Sequence, residues 1–237
     1  MRRLPPRPQL SVQTSKRLAR ELNRIVNSQD HVGEARRRYE NARRAAWFQP
    51  VVAALRALSG PGERCMFCSG SESSQVEHFR PKRHFPLKAM EWENFLWVCG
   101  ICNLDKSDDY VAGTEIIDPL SENVWEFCFI DEYGNFTALW RTELGDIDSR
   151  GDLTIKTLGL NRDALQATRQ NRLDDLKRAI RDSLTLFHEG HLTVDDLRSR
   201  LDNWLQLPFQ PDVADYFLKG PGKSEQPFSD FVAIVQP

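Results

Sequence analysis

Residues 65 to 109 hold the side chains whose types and spacing suit chemistry. Two Cys-x-x-Cys pairs, Cys65/Cys68 and Cys99/Cys102, bracket an acid–histidine pair, Glu77-His78, and an asparagine, Asn94. A second asparagine, Asn103, follows the last cysteine directly. Four thiolates in two such pairs are what tetrahedral zinc takes, each pair forming a knuckle with two sulfurs. Four of the 5 cysteines fall into this one pattern, and the thirty residues between the pairs leave room for a β-hairpin. A zinc held by four sulfurs has no open position, so it is structural, and catalysis needs a second set of groups.

Glu77 and His78 are adjacent on an expected strand, so their side chains leave on opposite faces. One can hold a metal while the other meets an attacking water. Asn103 is expected on the first turn of a helix, with Lys106 and Ser107 one turn further on the same face. A Glu carboxylate and an Asn carbonyl are hard oxygen ligands suited to Mg2+ or Mn2+. His78, neutral near pH 7, is then the general base that takes a proton from water as it attacks phosphorus. Asn94, on the returning strand, is expected to fix the His78 tautomer through its side chain or its backbone carbonyl. The cation neutralises the scissile phosphate and the leaving 3′-oxygen. Arg80, Lys82 and Lys106 are candidate phosphate or transition-state partners. His84 is a further assistant, whereas His188 and His191 flank Gly190 at a helix end, where a dipole interaction accounts for them. Each residue alone has an ordinary structural role; the pattern rests on their order between two knuckles. On this basis Cys65→Ser is expected to destabilise the fold and His78→Ala is not.

The elements around this stretch follow from periodicity. Residues 1–13, rich in Pro and Arg, read as an extended arm. A helix capped at Thr14 or Ser15 carries Leu18, Leu22, Ile25 and Val26 inward. Gly33 interrupts, Glu34 to Phe48 reads as a second helix that Pro50 breaks, and Val51 to Leu58 as a third, stopped at Ser59-Gly60-Pro61-Gly62. Ile116 to Pro119 reads as a short strand or turn. Val124 to Ile130 and Phe136 to Trp140 read as a β-hairpin about Asp131–Asn135, with Cys128 a buried structural thiol. Asn161 is expected to cap a long helix lined by Leu165, Leu173, Leu176, Ile180, Leu184 and Phe187, stopped at Gly190. Thr193 caps another with Leu197, Leu201 and Trp204 inward; Pro208 and Pro211 end it, a short helix spans Val213 to Leu218, and the tail from Gly220 is loop-like. The fold class is α+β. The segments are a basic helical region over 1–61, the zinc-bound core over 62–120, an acidic hairpin extension over 121–150 and a helical region over 151–237.

With 237 residues, 40% hydrophobic and 28% charged, the chain has the composition of an ordinary globular protein. No apolar run reaches bilayer-spanning length and no secretory h-region follows the basic first residues, so a cytoplasmic protein with reduced thiols and no membrane contact is expected. The net charge of −2 hides an asymmetry: residues 1–49 carry 12 Lys/Arg against 4 Asp/Glu, a net of +8, and residues 107–150 carry 2 against 11, a net of −9. The basic block suits nucleic acid, a solvated helix surface or an acidic partner equally well.

Residues 62 to 118 resemble the HNH nuclease family, the ββα-metal fold. Its pattern of an acid–His pair, a central Asn on the second strand and a His or Asn metal ligand on the helix falls here on Glu77-His78, Asn94 and Asn103. The Cys102-Asn103-x-x-Lys106-Ser107 run is similar to the helix start of Asn-ended variants. Glu stands here where Asp is common, and the last position makes the set H-N-N. The runs Glu77-His78-Phe79-Arg80-Pro81-Lys82, Trp92-Glu93-Asn94 and Thr154-Ile155-x-x-Leu158-x-Leu160-Asn161 resemble the PtuB family of Septu and retron-linked anti-phage systems. That resemblance implies a metal-dependent DNA endonuclease working with an ABC-type ATPase, PtuA-like, with structural Zn2+ and catalytic Mg2+ or Mn2+. An RNase of the same chemistry, cutting tRNA for example, and a zinc-stabilised binding module without turnover are the alternatives.

Overall fold

The computed structural model describes residues 1–70, 74–107, 115–207 and 210–236. Asp108 and Asp109, which close the motif stretch, and Pro208 lie outside them. Residues 1–11 run extended, as expected, but they are not free. Leu4 N donates to Pro119 O at 3.0 Å, Arg7 Nη2 donates to Glu93 O at 2.8 Å, and the Met1 amino group meets Asp212 at 3.0 Å with both buried.

Three helices follow: α1 (Val12–Val26), α2 (His31–Arg43) and α3 (Gln49–Ser59). Ser11, not Thr14 or Ser15, caps α1 by accepting from Thr14 N. Leu18 and Ile25 are buried, while Val26 turns out to solvent. Asp30 caps α2 by accepting from Gly33 N, so Gly33 belongs to the first turn instead of interrupting. A Cβ at Gly33 would lie 2.0 Å from Asp30 Oδ2, so a side chain there would turn the capping carboxylate. Pro50 opens α3, where its missing N–H costs nothing. Gly60, at φ 78°, ends α3.

The motif region forms one hairpin and one helix. β1 (Gln75–His78) pairs antiparallel with β2 (Phe95–Val98), and α4 (Gly100–Lys106) follows at once. The register sets Glu77 opposite Leu96 and His78 opposite Phe95. β2 is buried along its whole length and packs on α3; among the described residues β1 pairs with no other strand, and Tyr39 Oη donates to Val76 O at 2.7 Å. Asn94 lies in a 3-10 turn, Trp92–Asn94, just before β2, and Ser107 has left α4 at φ 47°, so Lys106 and Ser107 share no helical face.

A second hairpin, β3 (Cys128–Ile130) with β4 (Phe136–Ala138), matches the expected turn at Asp131–Asn135. Val124–Glu126 is a 3-10 turn and not strand, and its Trp125 ring stacks on Phe136 and lies tilted against Tyr216. Cys128 is buried, and burial pushes its thiol up to about 12. Beyond β4 a short ribbon, β5 (Trp140–Arg141) with β6 (Asp146–Ile147), projects outward.

Five helices complete the chain: α5 (Ser149–Thr157), α6 (Asp163–His188), α7 (Val194–Gln206), α8 (Pro211–Leu218) and α9 (Phe228–Val235). Leu165, Leu173, Leu176, Ile180 and Leu184 bury one side of α6, and Thr193 with Asp196 forms a reciprocal cap on α7. Asn161 does not cap α6. Its Oδ1 accepts from Phe136 N at 2.8 Å and its Nδ2 donates to Phe136 O at 2.7 Å, clasping β4 instead. Pro211 starts a helix, and the tail expected to be loop contains α9, whose Phe228 and Phe231 are fully buried. Among the described residues no helix is long and apolar enough to cross a membrane.

Candidate active site

The four thiols come together. Cys65, Cys68, Cys99 and Cys102 are buried and unbridged, and their sulfurs all lie within 4.8 Å of one another. Zinc–sulfur bonds of ~2.3 Å in a tetrahedron separate neighbouring sulfurs by ~3.8 Å. The Cys68–Cys99 separation of 3.9 Å matches, so the set fits zinc. Backbone amides support the sulfurs: Cys99 N donates to Cys65 Sγ at 3.3 Å and Cys102 N to Cys99 Sγ at 3.5 Å. Met66 N bonds Trp97 O at 3.0 Å, which ties the first knuckle to β2. Arg162, 60 residues further on, points Nη2 at Cys102 Sγ from 3.8 Å and Nη1 at the Leu158 and Gly159 carbonyls. Four thiolates around Zn2+ leave two negative charges, and this guanidinium offsets part of them.

One residue along from Cys102, candidate site residues gather around β1. Gln75 and Glu77 share one face of the strand, and α4 lies across it through two polar rungs. Asn103 Nδ2 bonds Gln75 Oε1, and Lys106 Nζ bonds Glu77 Oε1 at 3.0 Å. No donor among the described residues takes Glu77 Oε2 or Asn103 Oδ1. Both residues therefore keep one oxygen for a hard cation.

His78 leaves the other face, as strand alternation requires. It is 1% exposed, wedged between Tyr39, whose ring centroid is 4.4 Å away, and Phe95 at 5.2 Å. Its Nε2 lies 2.9 Å from Ala89 O and its Nδ1 lies 3.2 Å from Lys82 Nζ. A carbonyl accepts and an ammonium donates, so the hydrogen is on Nε2 and the lone pair on Nδ1. Burial, with Lys82 and Lys106 adding to it, holds the imidazole well below the usual histidine pKa and neutral at pH 7. The close packing also corrects one expectation: His78→Ala removes a filled core position and costs stability.

Asn94, expected to fix the His78 tautomer directly, does not touch the ring and instead holds the neighbouring loop. Its Oδ1 accepts from Arg80 N at 2.7 Å, and its Nδ2 donates to Arg80 O at 3.1 Å and Lys88 O at 3.0 Å. All three polar functions pin the loop whose next residue, Ala89, presents the carbonyl to His78. Neither the Asn94 side chain nor its carbonyl meets the ring; Asn94 O accepts from Phe79 N at 2.8 Å.

Beside β1 opens a cleft of 600 Å³ whose wall includes Glu77, Asn103, Lys82, Tyr39, Arg43 and Arg44. His78 is not part of that wall and meets it through Lys82. Lys106 is 5% exposed and engaged by Glu77, so it faces the carboxylate and not the open cleft. Arg80 pairs with Glu115 at 3.3 Å and lines a separate cavity beside Asn94 and Arg150, so the structure parts it from Lys82. His84 lies outside the cleft wall, and His188 and His191 are exposed at the end of α6. Tyr39, Gln75, the Ala89 carbonyl and Arg162 were not foreseen. Of these only Gln75, two residues before Glu77 on the same strand face, had a local signal.

With this geometry in hand, the chain is similar to the Septu protein PtuB of Bacillus thuringiensis, 27% identical over 122 residues. The match covers 49% of this chain and 44% of that relative, so the likeness spans less than half of the relative's length. No family model and no solved structure matches.

Proposed function

We propose that this chain is a metal-dependent endonuclease of the HNH type that hydrolyses phosphodiester bonds in DNA. We read it as an anti-phage effector acting with an ABC-type ATPase, a reading that the similarity to a Septu protein supports. One observation carries the chemistry: a buried, neutral imidazole has its hydrogen anchored on a backbone carbonyl and its lone pair turned to Lys82, which lines the cleft with Glu77 and Asn103.

In this reading Nδ1 of His78 takes a proton from water as the water oxygen bonds to phosphorus. The bond from phosphorus to the 3′-oxygen breaks, and that oxygen takes a proton from solvent. A divalent cation seated on Glu77 and Asn103 supplies positive charge at the same phosphate. Lys106 holds one oxygen of Glu77, which leaves the second to face the cleft, and Arg43, Arg44 and Lys82 offer phosphate contacts. The zinc-bound stretch 62–120 is the nuclease core, and the flanking segments are its housing and docking surface.

The β5–β6 ribbon supports a protein partner. Trp140 and Ile147 are directly opposed, so they share a face, and they are 62% and 40% exposed; Leu144 at the turn is 71% exposed. Glu143 and Asp146 stand beside them, which suits an apolar surface with a basic rim. Trp140→Ser is expected to leave the melting temperature unchanged and to lose co-purification with the ATPase; undiminished co-purification would remove this surface from the account.

The test of activity takes zinc-loaded chain, with and without the ATPase, on supercoiled plasmid and on tRNA. Nicked plasmid that appears with Mg2+ or Mn2+ and vanishes with a chelator too weak to strip the zinc is the expected result. Cleavage of tRNA alone moves the substrate to RNA. No cleavage of either, with the partner present, leaves a zinc-stabilised binding module, the reading that the internal Glu77–Lys106 pair favours.

A further inference from the structure

We propose that Lys82 is a latch on the general base: its ammonium caps Nδ1 of His78 in the free chain, and a phosphodiester entering the cleft draws it off and opens that nitrogen to water. The proposal rests on the hydrolytic reading of the same site. A neutral imidazole has one in-plane lone pair, and the Ala89 carbonyl at Nε2 fixes it on Nδ1. Lys82 Nζ, 3.2 Å away, occupies it. An attacking water must stand within about 2.6–3.2 Å of the same nitrogen. Ammonium and water therefore exclude one another, and a Lys82 that stayed in place as a fixed phosphate clamp would leave His78 without basicity.

The surroundings let the latch move. Lys82 is half-buried, stands in the loop after Pro81 and lines the cleft, with its Nζ 4.8 Å from the Tyr39 ring centroid. Its flexible stem can carry the ammonium outward while the backbone stays pinned by Asn94. A phosphate oxygen makes a charge-assisted bond, stronger than one to a neutral ring nitrogen. Arg43 and Arg44 on the same wall bring that phosphate in. Substrate binding and exposure of the base are then one event, and the buried imidazole is shielded from bulk water until a phosphate arrives.

Two experiments on the zinc-loaded full chain test this. Diethylpyrocarbonate acylates an imidazole through its free lone pair, and peptide mass spectrometry reads the rate at His78 against exposed His188. The latch predicts slow modification in wild type and at least ten-fold faster modification in Lys82→Met. Equal rates overturn it. Bis(p-nitrophenyl) phosphate, too small to need a lysine clamp, should be hydrolysed faster by Lys82→Met than by wild type; slower hydrolysis means a fixed clamp and overturns the latch. If Lys82→Met fails to fold, the wild-type Nδ1 nitrogen shift decides, since a value typical of an unbonded ring nitrogen refutes the cap. Absence of hydrolysis by both proteins counts against the nuclease reading, while the acylation rates still decide the latch.

Discussion

The sulfur cluster and the cleft one residue away are built on opposite principles. The cluster is closed, with four like side chains buried among backbone amides and one guanidinium. The cleft is open beside β1 and gathers acids, amides, one lysine and arginines, several of them held by a neighbour. The closed centre does the positioning for the open one. Cys99 and Cys102 lie at the end of β2 and in the first turn of α4, so Asn103 takes its place from the cysteine cluster beside it together with its bond to Gln75.

Breaking the closed centre should therefore abolish both, whereas changes in the cleft should leave the cluster whole. The largest effect is expected for Cys65→Ser. A structural zinc contributes roughly 10 kcal/mol in small zinc domains, comparable with the whole stability of about 5–15 kcal/mol of a typical fold. The variant should lose stoichiometric zinc and its cooperative melt. Full zinc content with an unchanged melt would separate the two regions.

Next comes His78→Ala, which empties a core position between Tyr39 and Phe95 and orphans the Ala89 carbonyl, at about 1–3 kcal/mol. Zinc content should stay at one per chain. Asn94→Ala removes three bonds from a residue that is 4% exposed, and about 1–3 kcal/mol is again expected. Because the loop carries Ala89, the cleavage rate should fall as well. A normal rate in a destabilised Asn94→Ala chain would mean that the loop does not orient His78.

The smallest effect concerns the basic helices. Arg44, on the cleft wall and 75% exposed, should contribute about 0.9 to the slope of log affinity for DNA against log salt. Arg44→Gln with an unchanged slope would place the nucleic acid elsewhere. Deleting residues 1–30 would be a poorer probe of the basic block. That stretch carries the buried Leu18 and Ile25, the Met1–Asp212 pair and the Arg7 contact to Glu93, so its loss disturbs the core along with the charge.

The sequence made legible whatever depends on residue type at short range. The four cysteines, the Glu77-His78 pair on a strand, Asn103 at a helix start and the apolar face of α6 all stand where periodicity and metal chemistry put them. What was hidden depends on backbone atoms or distant chain. The acceptor of the His78 hydrogen is a main-chain oxygen at Ala89, which any residue type supplies. Tyr39 reaches His78 from a helix 39 positions earlier. Asn161 had the right type for a cap and was claimed by β4, because tertiary hydrogen bonds outweigh a local propensity of about 1 kcal/mol. Two of the three arginines of the Pro-rich arm, Arg2 and Arg7, bind carbonyls of the protein's own chain, partners that residue type does not announce.

The account stands most directly on the plasmid-cleavage rate of zinc-loaded His78→Gln beside wild type. Glutamine keeps a donor for Ala89 O and offers no basic nitrogen, so fold and metal content should match while the rate drops by ~100- to 10,000-fold. Equal rates from two equally folded proteins would show that the buried imidazole of His78 moves no proton.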